Sequence, residues 1–361
     1  MPFRKMLRLP LISTLAASLW LGGCTAQVKP TSLQGEAPAQ PGLSMCGTLA
    51  LPSQWRPTEN NTSVPLGGLS AMAWDPDDNL LHLVSDRGRV HQARPVLEDG
   101  RLVDLRPLAS HRLKAQDGTP LEGKAADAES LVLAGADDGV TGNTELLIGF
   151  EQDHRVQRFA LDGMPKGEPL RSTASHNAGD NESLEALARV PGIGLVAGLE
   201  SPPDDMNAQD GVRHTLLFSL AENATDTRRW HYPLASPADS ALTELLALED
   251  TVTETPPRLL ALERAFSPPR PLTISLSLVE LLPPPQVRVT RLASLSAGEG
   301  WRVDNMEGLA RLPGGEFLMV SDDNFSALQR NLLGCYRLTD KALSLSTLDL
   351  PVPTAGNATA R

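Results

Sequence analysis

The sequence predicts an all-β fold, a β-propeller of four-stranded blades with five blades visible. Three observations carry that expectation. Short apolar runs that begin at an acidic or small residue recur about sixty residues apart, and a period of that size marks a repeat architecture. Each such run is followed by three more short runs, separated by turn-forming residues. The 30 Pro and 29 Gly of the 361-residue chain supply that punctuation. No segment sustains the 3.6-residue apolar period of a helix. Four short strands, repeated, are what a propeller blade requires.

The N-terminus is read as an address. Arg4, Lys5 and Arg8 precede an apolar run from Leu9 to Leu21, which has signal-peptide length and is too short to span a bilayer. The run ends in Leu21-Gly22-Gly23-Cys24, which resembles the bacterial lipobox, whose Cys becomes the lipidated first residue. Thr25 follows Cys24, and by resemblance to the sorting rule this favours the outer membrane. Residues 1–23 are therefore expected as a lipoprotein signal peptide. Residues 24–44, rich in Pro, Gly, Ala, Ser and Gln, are expected as the lipidated Cys and a flexible tether. Residues 45–361 are expected to form one propeller domain. A monomer on the periplasmic face of the cell envelope, held by its lipid, follows.

Within that domain the first strands are 69–74, 129–133, 185–189, 244–248 and 307–311, and the second are 80–86, 145–151, 194–200, 258–264 and 316–322. The third strands are 89–95, 155–161, 213–220, 272–281 and 332–338. The fourth are 102–108, 169–173, 227–234, 287–295 and 343–350. The best helix candidate, 238–249, falls where the repeat demands a strand. A sixth blade would have to be degenerate, because few residues remain for it. The lone run 46–51 can complete the last blade from the other end of the chain. Cys46 would then lie beside Cys335 in the third strand of that blade, and an oxidising compartment permits a disulfide there. Two buried free thiols are the alternative.

Charge comes next. There are 44 Asp+Glu against 32 Lys+Arg, a net charge of -12. That balance argues against a nucleic-acid partner, which calls for a basic footprint. The acids are not scattered. First strands line the channel of a propeller and second strands run back beside them, so the start of one and the end of the other share a face. Glu129, Glu185, Glu244 and Glu307 stand at first-strand starts, and Asp86, Glu151, Glu200, Glu263 and Asp322 at second-strand ends. Such a ring repels itself and needs a hard cation, most simply Ca²⁺, or internal arginines. Glu129, Glu185, Glu263 and Glu307 are the candidate catalytic carboxylates. Asp86, Glu151, Glu200, Glu244 and Asp322 are the candidate cation ligands. Arg87, Arg155 and Arg264, with Asn181 and Asn324, are the candidates for holding a small anionic substrate.

No Gly-x-Ser-x-Gly elbow, His-Glu-x-x-His pair, Walker loop or dinucleotide fingerprint occurs in the sequence. The segments Gly67 to Asp75, Val84 to Gly88, Asp127 to Leu131, Gly149 to Glu151, Glu185 to Ala188, Leu262 to Arg264, Asn305 to Ala310 and Val320 to Phe325 together resemble bacterial phytase-like propellers described as having esterase-like activity of phytase. Ser130, Ala186 and Leu245 depart from that pattern where Gly is more frequent. The resemblance implies an exported propeller that hydrolyses phosphoric or carboxylic esters. Two other readings stand beside it. One is a propeller that binds a ligand without turning it over; the other is a Ca²⁺-dependent, lactonase-like hydrolase.

Overall fold

The computed structural model describes residues 27–59, 61–172, 184–203, 206, 211–220, 228–235, 239–248 and 256–340. Cys24, Asn181 and the run 343–350 lie outside them. Two strands, β1 (Lys29–Pro30) and β2 (Leu43–Ala50), and a small pair, β3 (Gln54–Trp55) with β4 (Val64–Pro65), precede the repeat.

Five antiparallel blades follow. The first comprises β5 (Leu69–Asp75), β6 (Leu80–Ser85), β7 (Arg89–Glu98) and β8 (Arg101–Arg112). The second comprises β9 (Ala128–Ala134), β10 (Glu145–Phe150), β11 (Arg155–Phe159) and β12 (Pro165–Leu170). The third comprises β13 (Leu184–Val190), β14 (Gly194–Leu199), β15 (His214–Leu220) and β16 (Arg229–Pro233). The fourth comprises β17 (Ser240–Ala247), β18 (Arg258–Ala265), β19 (Thr273–Leu281) and β20 (Val287–Ser296). The fifth holds β21 (Asn305–Arg311), β22 (Glu316–Asp322) and β23 (Leu332–Leu338). Its fourth place is filled by β2, which pairs with β23. The inner strands β5, β9, β13, β17 and β21 touch in a closed ring.

Closure by the N-terminal strand therefore occurs as the sequence predicts. Cys46 and Cys335 are joined, with Cα atoms 4.9 Å apart, across β2 and β23. β12 begins four residues earlier than expected. The turn Asp162-Gly163, with Gly163 at φ +84°, folds β12 back at once onto β11.

The expected tether is the larger correction. From Gln27 the chain lies on the domain. β1 pairs with β2, Leu33 is fully buried, and the Leu33 carbonyl accepts from Arg302 N at 2.7 Å. The composition of 25–44 looks like a linker, but one apolar anchor in a blade seam outweighs it.

The core is divided into five seams, one between each pair of neighbouring blades. Each blade is covered on both faces, which is why the runs read as nearly continuous Leu, Val and Ala. Leu83 and Val84, adjacent on β6, enter different seams.

Candidate functional site

All five inner strands carry a β-bulge near their start, placing Ser70, Glu129, Glu185, Thr243 and Glu307 at equivalent points. A bulge re-aims a side chain by breaking the two-residue alternation. The residues that close each site from the second strand are Asp86, Glu151, Glu200, Arg264 and Asp322. Each lies one step past the residue paired just before the bulge. Blades 2, 3 and 5 thus give an acid pair and blade 1 gives Asp86 alone. Blade 4 gives a threonine and an arginine.

This corrects two expected site residues. Glu244 and Glu263 are each one position out of register with the other acids, and a one-residue slip in a strand reverses the side chain. Glu244 is buried, and its Oε1 accepts from Leu245 N at 2.8 Å and Leu187 N at 3.5 Å. Burial pushes its carboxyl well above the ordinary range, opposed by these backbone donors. Glu263 is also buried. Its oxygens accept from Tyr232 Oη (2.6 Å), Ala235 N (2.7 Å) and Ser240 Oγ (2.7 Å). It fastens blade 3 to blade 4, and among the described residues its hydrogen bonds are to these three groups.

The remaining acids form one electrostatic unit. Burial, and then Glu185, Glu307, Asp127 and Glu151, push Glu129 well above the usual carboxylate range. Burial with Glu200, Glu151 and Glu307 does the same to Glu185, against the pull of Arg264. Glu307 is raised by burial and Asp322, again against Arg264. Asp86 is pushed to about 7 by burial and by Asp322, and Asp322 to about 6 by burial, offset in part by the Asn324 N–H. Arg264 stands among them. Its Nη1 donates to Glu307 Oε1 and its Nη2 to Glu200 Oε1, each at 3.0 Å, and Nη1 also donates to Asn305.

The other expected cations differ. Arg155 is buried, stacked 3.7 Å over the Phe150 ring, and donates to Asp153 Oδ2 at 2.9 Å and the Ala125 carbonyl at 2.8 Å. It braces blade 2 and is not presented to a substrate. Arg87 is exposed and lies 3.5 Å over the Phe325 ring beside Asp86. Asn324 is exposed, at φ +48°, and donates its N–H to Asp322 Oδ1 at 2.7 Å.

Two overlapping groups of oxygens stand out. Asp127, Glu129 and Glu151 can each present one within 4.8 Å of the others, and so can Glu151, Glu185 and Glu200. Asp127 was not among the sequence candidates. It precedes the bulge residue Glu129 by two positions, a spacing that only the bulge makes meaningful. Asn305, which donates Nδ2 to Glu307 Oε1, also escaped as a site residue.

A sequence profile of the phytase-like family, described as esterase-like activity of phytase, matches residues 64–325. The chain belongs to that family. The matched span of this phytase-like propeller runs from the strand before blade 1 to the loop after β22 and so includes every mouth acid. A search of curated proteins returns no match. Among solved structures, the WD40 repeats of RRP9 share 10% identity over 86% of this chain and 100% of theirs, at a TM-score of 0.39. A putative oxidoreductase (glucose dehydrogenase) of Thermus thermophilus shares 13% over 86% and 99%, at 0.34. A luciferin-regenerating enzyme shares 11% over 75% and 92%, at 0.37. At these scores the likenesses have no bearing on chemistry.

Proposed function

We propose that this phytase-like propeller is a cation-assisted hydrolase of phosphoric or carboxylic esters, working at its acidic mouth. The observation that carries the proposal is the convergence of Asp86, Asp127, Glu129, Glu151, Glu185, Glu200, Glu307 and Asp322 at one mouth, with Arg264 beside the last four. A fold gains nothing in stability from crowding carboxylates until they repel one another's charge. The family's described activity, esterase-like, agrees with a hydrolytic use.

The donor set fits a hard cation. Every candidate ligand is a carboxylate oxygen, which suits Ca²⁺ and offers nothing to a soft metal. Asp127, Glu129, Glu151, Glu185 and Glu200 would hold it. When bound, it would polarise the ester oxygen that gains charge. The rest falls to the chain itself. Arg264, fixed by Glu200, Glu307 and Asn305, presents a guanidinium of set orientation to an anionic oxygen. Glu307, in its ionised form paired with Arg264, can take the proton of an attacking water and return it to the leaving alkoxide.

The same arginine supports a second reading. Because Arg264 already compensates Glu200 and Glu307, the mouth could bind an anion without turning it over. Turnover of phosphomonoesters, phosphodiesters, carboxylic esters and lactones by purified protein, with Ca²⁺ and with chelator, separates the two. Ca²⁺-dependent turnover of any of them supports the hydrolase. Tight anion binding with no turnover across the panel supports the binder.

Attachment through lipidated Cys24 at the outer membrane belongs to the proposal as well, supported by the lipobox-like Leu21-Gly22-Gly23-Cys24. Since Gln27 already lies on the domain, the intervening chain would span only about 10 Å when extended. The propeller would then sit close to the membrane surface.

A further inference from the structure

A cavity of about 690 Å³ adjoins the acidic mouth on the side of blades 3, 4 and 5. It shares Glu200, Arg264, Asn305 and Asn324 with the site already described. Its remaining wall differs in character. Phe266 and Leu272 contribute apolar surface there, and Arg213 a second guanidinium. Arg213 donates Nη1 to the Ser240 carbonyl at 3.4 Å, one of the five donors its fork carries.

Phe266 stands out on this wall. It is 60% exposed, one of three large apolar side chains so exposed among the described residues. It sits two positions after Arg264, just beyond the end of β18. Another of the three, Leu328, is 95% exposed and precedes Gln329, which lines the same cavity. An exposed aromatic ring in the wall of a polar cavity suits a ligand with an apolar part.

The charge of the wall is equally selective. Two guanidiniums, Arg213 and Arg264, share it with the carboxylates of Glu200, Asp239 and Asp304. The mouth acids lie just beyond. A single anionic group can be met by the arginine fork, but a ligand bearing many phosphates would bring charge against an excess of carboxylates.

We infer that the cavity selects an ester with one anionic group and one bulky apolar group. Phe266 is the specificity-determining residue for the apolar part, and polyphosphorylated ligands are turned away. The inference rests on the acidic mouth being the reactive site, and deepens that reading by naming the substrate class.

Calorimetric binding at buffered Ca²⁺ tests it without requiring turnover, using phenylphosphonate, methylphosphonate and inositol hexakisphosphate as probes. Phenylphosphonate should bind at least about tenfold more tightly than methylphosphonate, the scale of one aromatic contact. Phe266→Ala, a change at an exposed position, should erase that difference and leave methylphosphonate unaffected. The inference is overturned if inositol hexakisphosphate binds tightest, if the two phosphonates bind alike, or if neither binds. It is also overturned if Phe266→Ala leaves the preference intact. Failure of the hydrolase reading looks different: the phosphonate preference persists and vanishes in Phe266→Ala, while no ester is turned over.

Discussion

Arg264 is the cation set among the mouth acids of blades 3 and 5. It stands where the other blades place an acid, and it is held by Glu200, Glu307 and Asn305. Removing it as Arg264→Met would leave two carboxylates facing each other without a counter-charge. Breaking such a buried pair from one side costs about 3–5 kcal/mol, so the variant should melt well below the parent in thermal denaturation, and Ca²⁺ should recover part of the loss. The acids themselves set a pH dependence. Asp86 and Asp322 are raised to about 7 and about 6 in the folded chain, above their unfolded values. The folded state therefore holds its protons more tightly than the unfolded one. That contribution is fully present at low pH and is lost as pH rises through 6 to 7. In chelator, the melting temperature should fall between pH 5 and pH 8, and Ca²⁺ should flatten the fall. A melting temperature that rises over that range without Ca²⁺ would contradict the shifts.

The element that decides the site is the bulged inner strand. Turn signals, apolar runs and the sixty-residue period made the strands and their order legible in the sequence. They also put the acids of blades 1, 2, 3 and 5 at the correct face. Blade 4 misled because Glu244-Leu245-Leu246-Ala247 reads like Glu307-Gly308-Leu309-Ala310, while the structure aligns Glu244 with Gly308 and Thr243 with Glu307. Periodicity cannot register a strand to one residue, and here one residue separates a mouth ligand from a blade fastener. Glu263 makes the difference testable. Glu263→Ala would orphan Tyr232 Oη, Ser240 Oγ and Ala235 N and should cost about 2–4 kcal/mol in chemical denaturation. Ca²⁺ affinity should stay within twofold of the parent. Gly68 tests the opposite case. It is buried and holds φ +60°, and a Cβ there would collide with Asp86 Oδ1 and Phe325, so Gly68→Ala should displace Asp86 and lower both the melting temperature and the Ca²⁺ affinity read by calorimetry.

At the scale of the whole molecule, the ring is closed twice. β2 supplies the fourth strand of the last blade, and the Cys46–Cys335 bond ties it there across 289 residues of chain. A cross-link over so long a loop constrains the unfolded chain strongly, and losing it costs about 2–5 kcal/mol in comparable cases. Replacing both cysteines with alanine should lower the stability to chemical denaturation by that amount and leave the acidic mouth intact, because the bond joins the third and fourth strands of its blade and the acids lie on or beside the first and second. The acidic excess of the chain follows the same division. A net charge of -12 reads as a general property until the blades gather eight of the 44 acidic side chains at one end of the channel. Calorimetric titration of Ca²⁺ into chelator-treated protein reads that gathering without the need for a substrate. Binding should be saturable, and Glu151→Gln, at the residue common to both oxygen groups, should weaken it by at least about tenfold. An absence of saturable binding, or equal affinity in Glu151→Gln, would contradict that gathering.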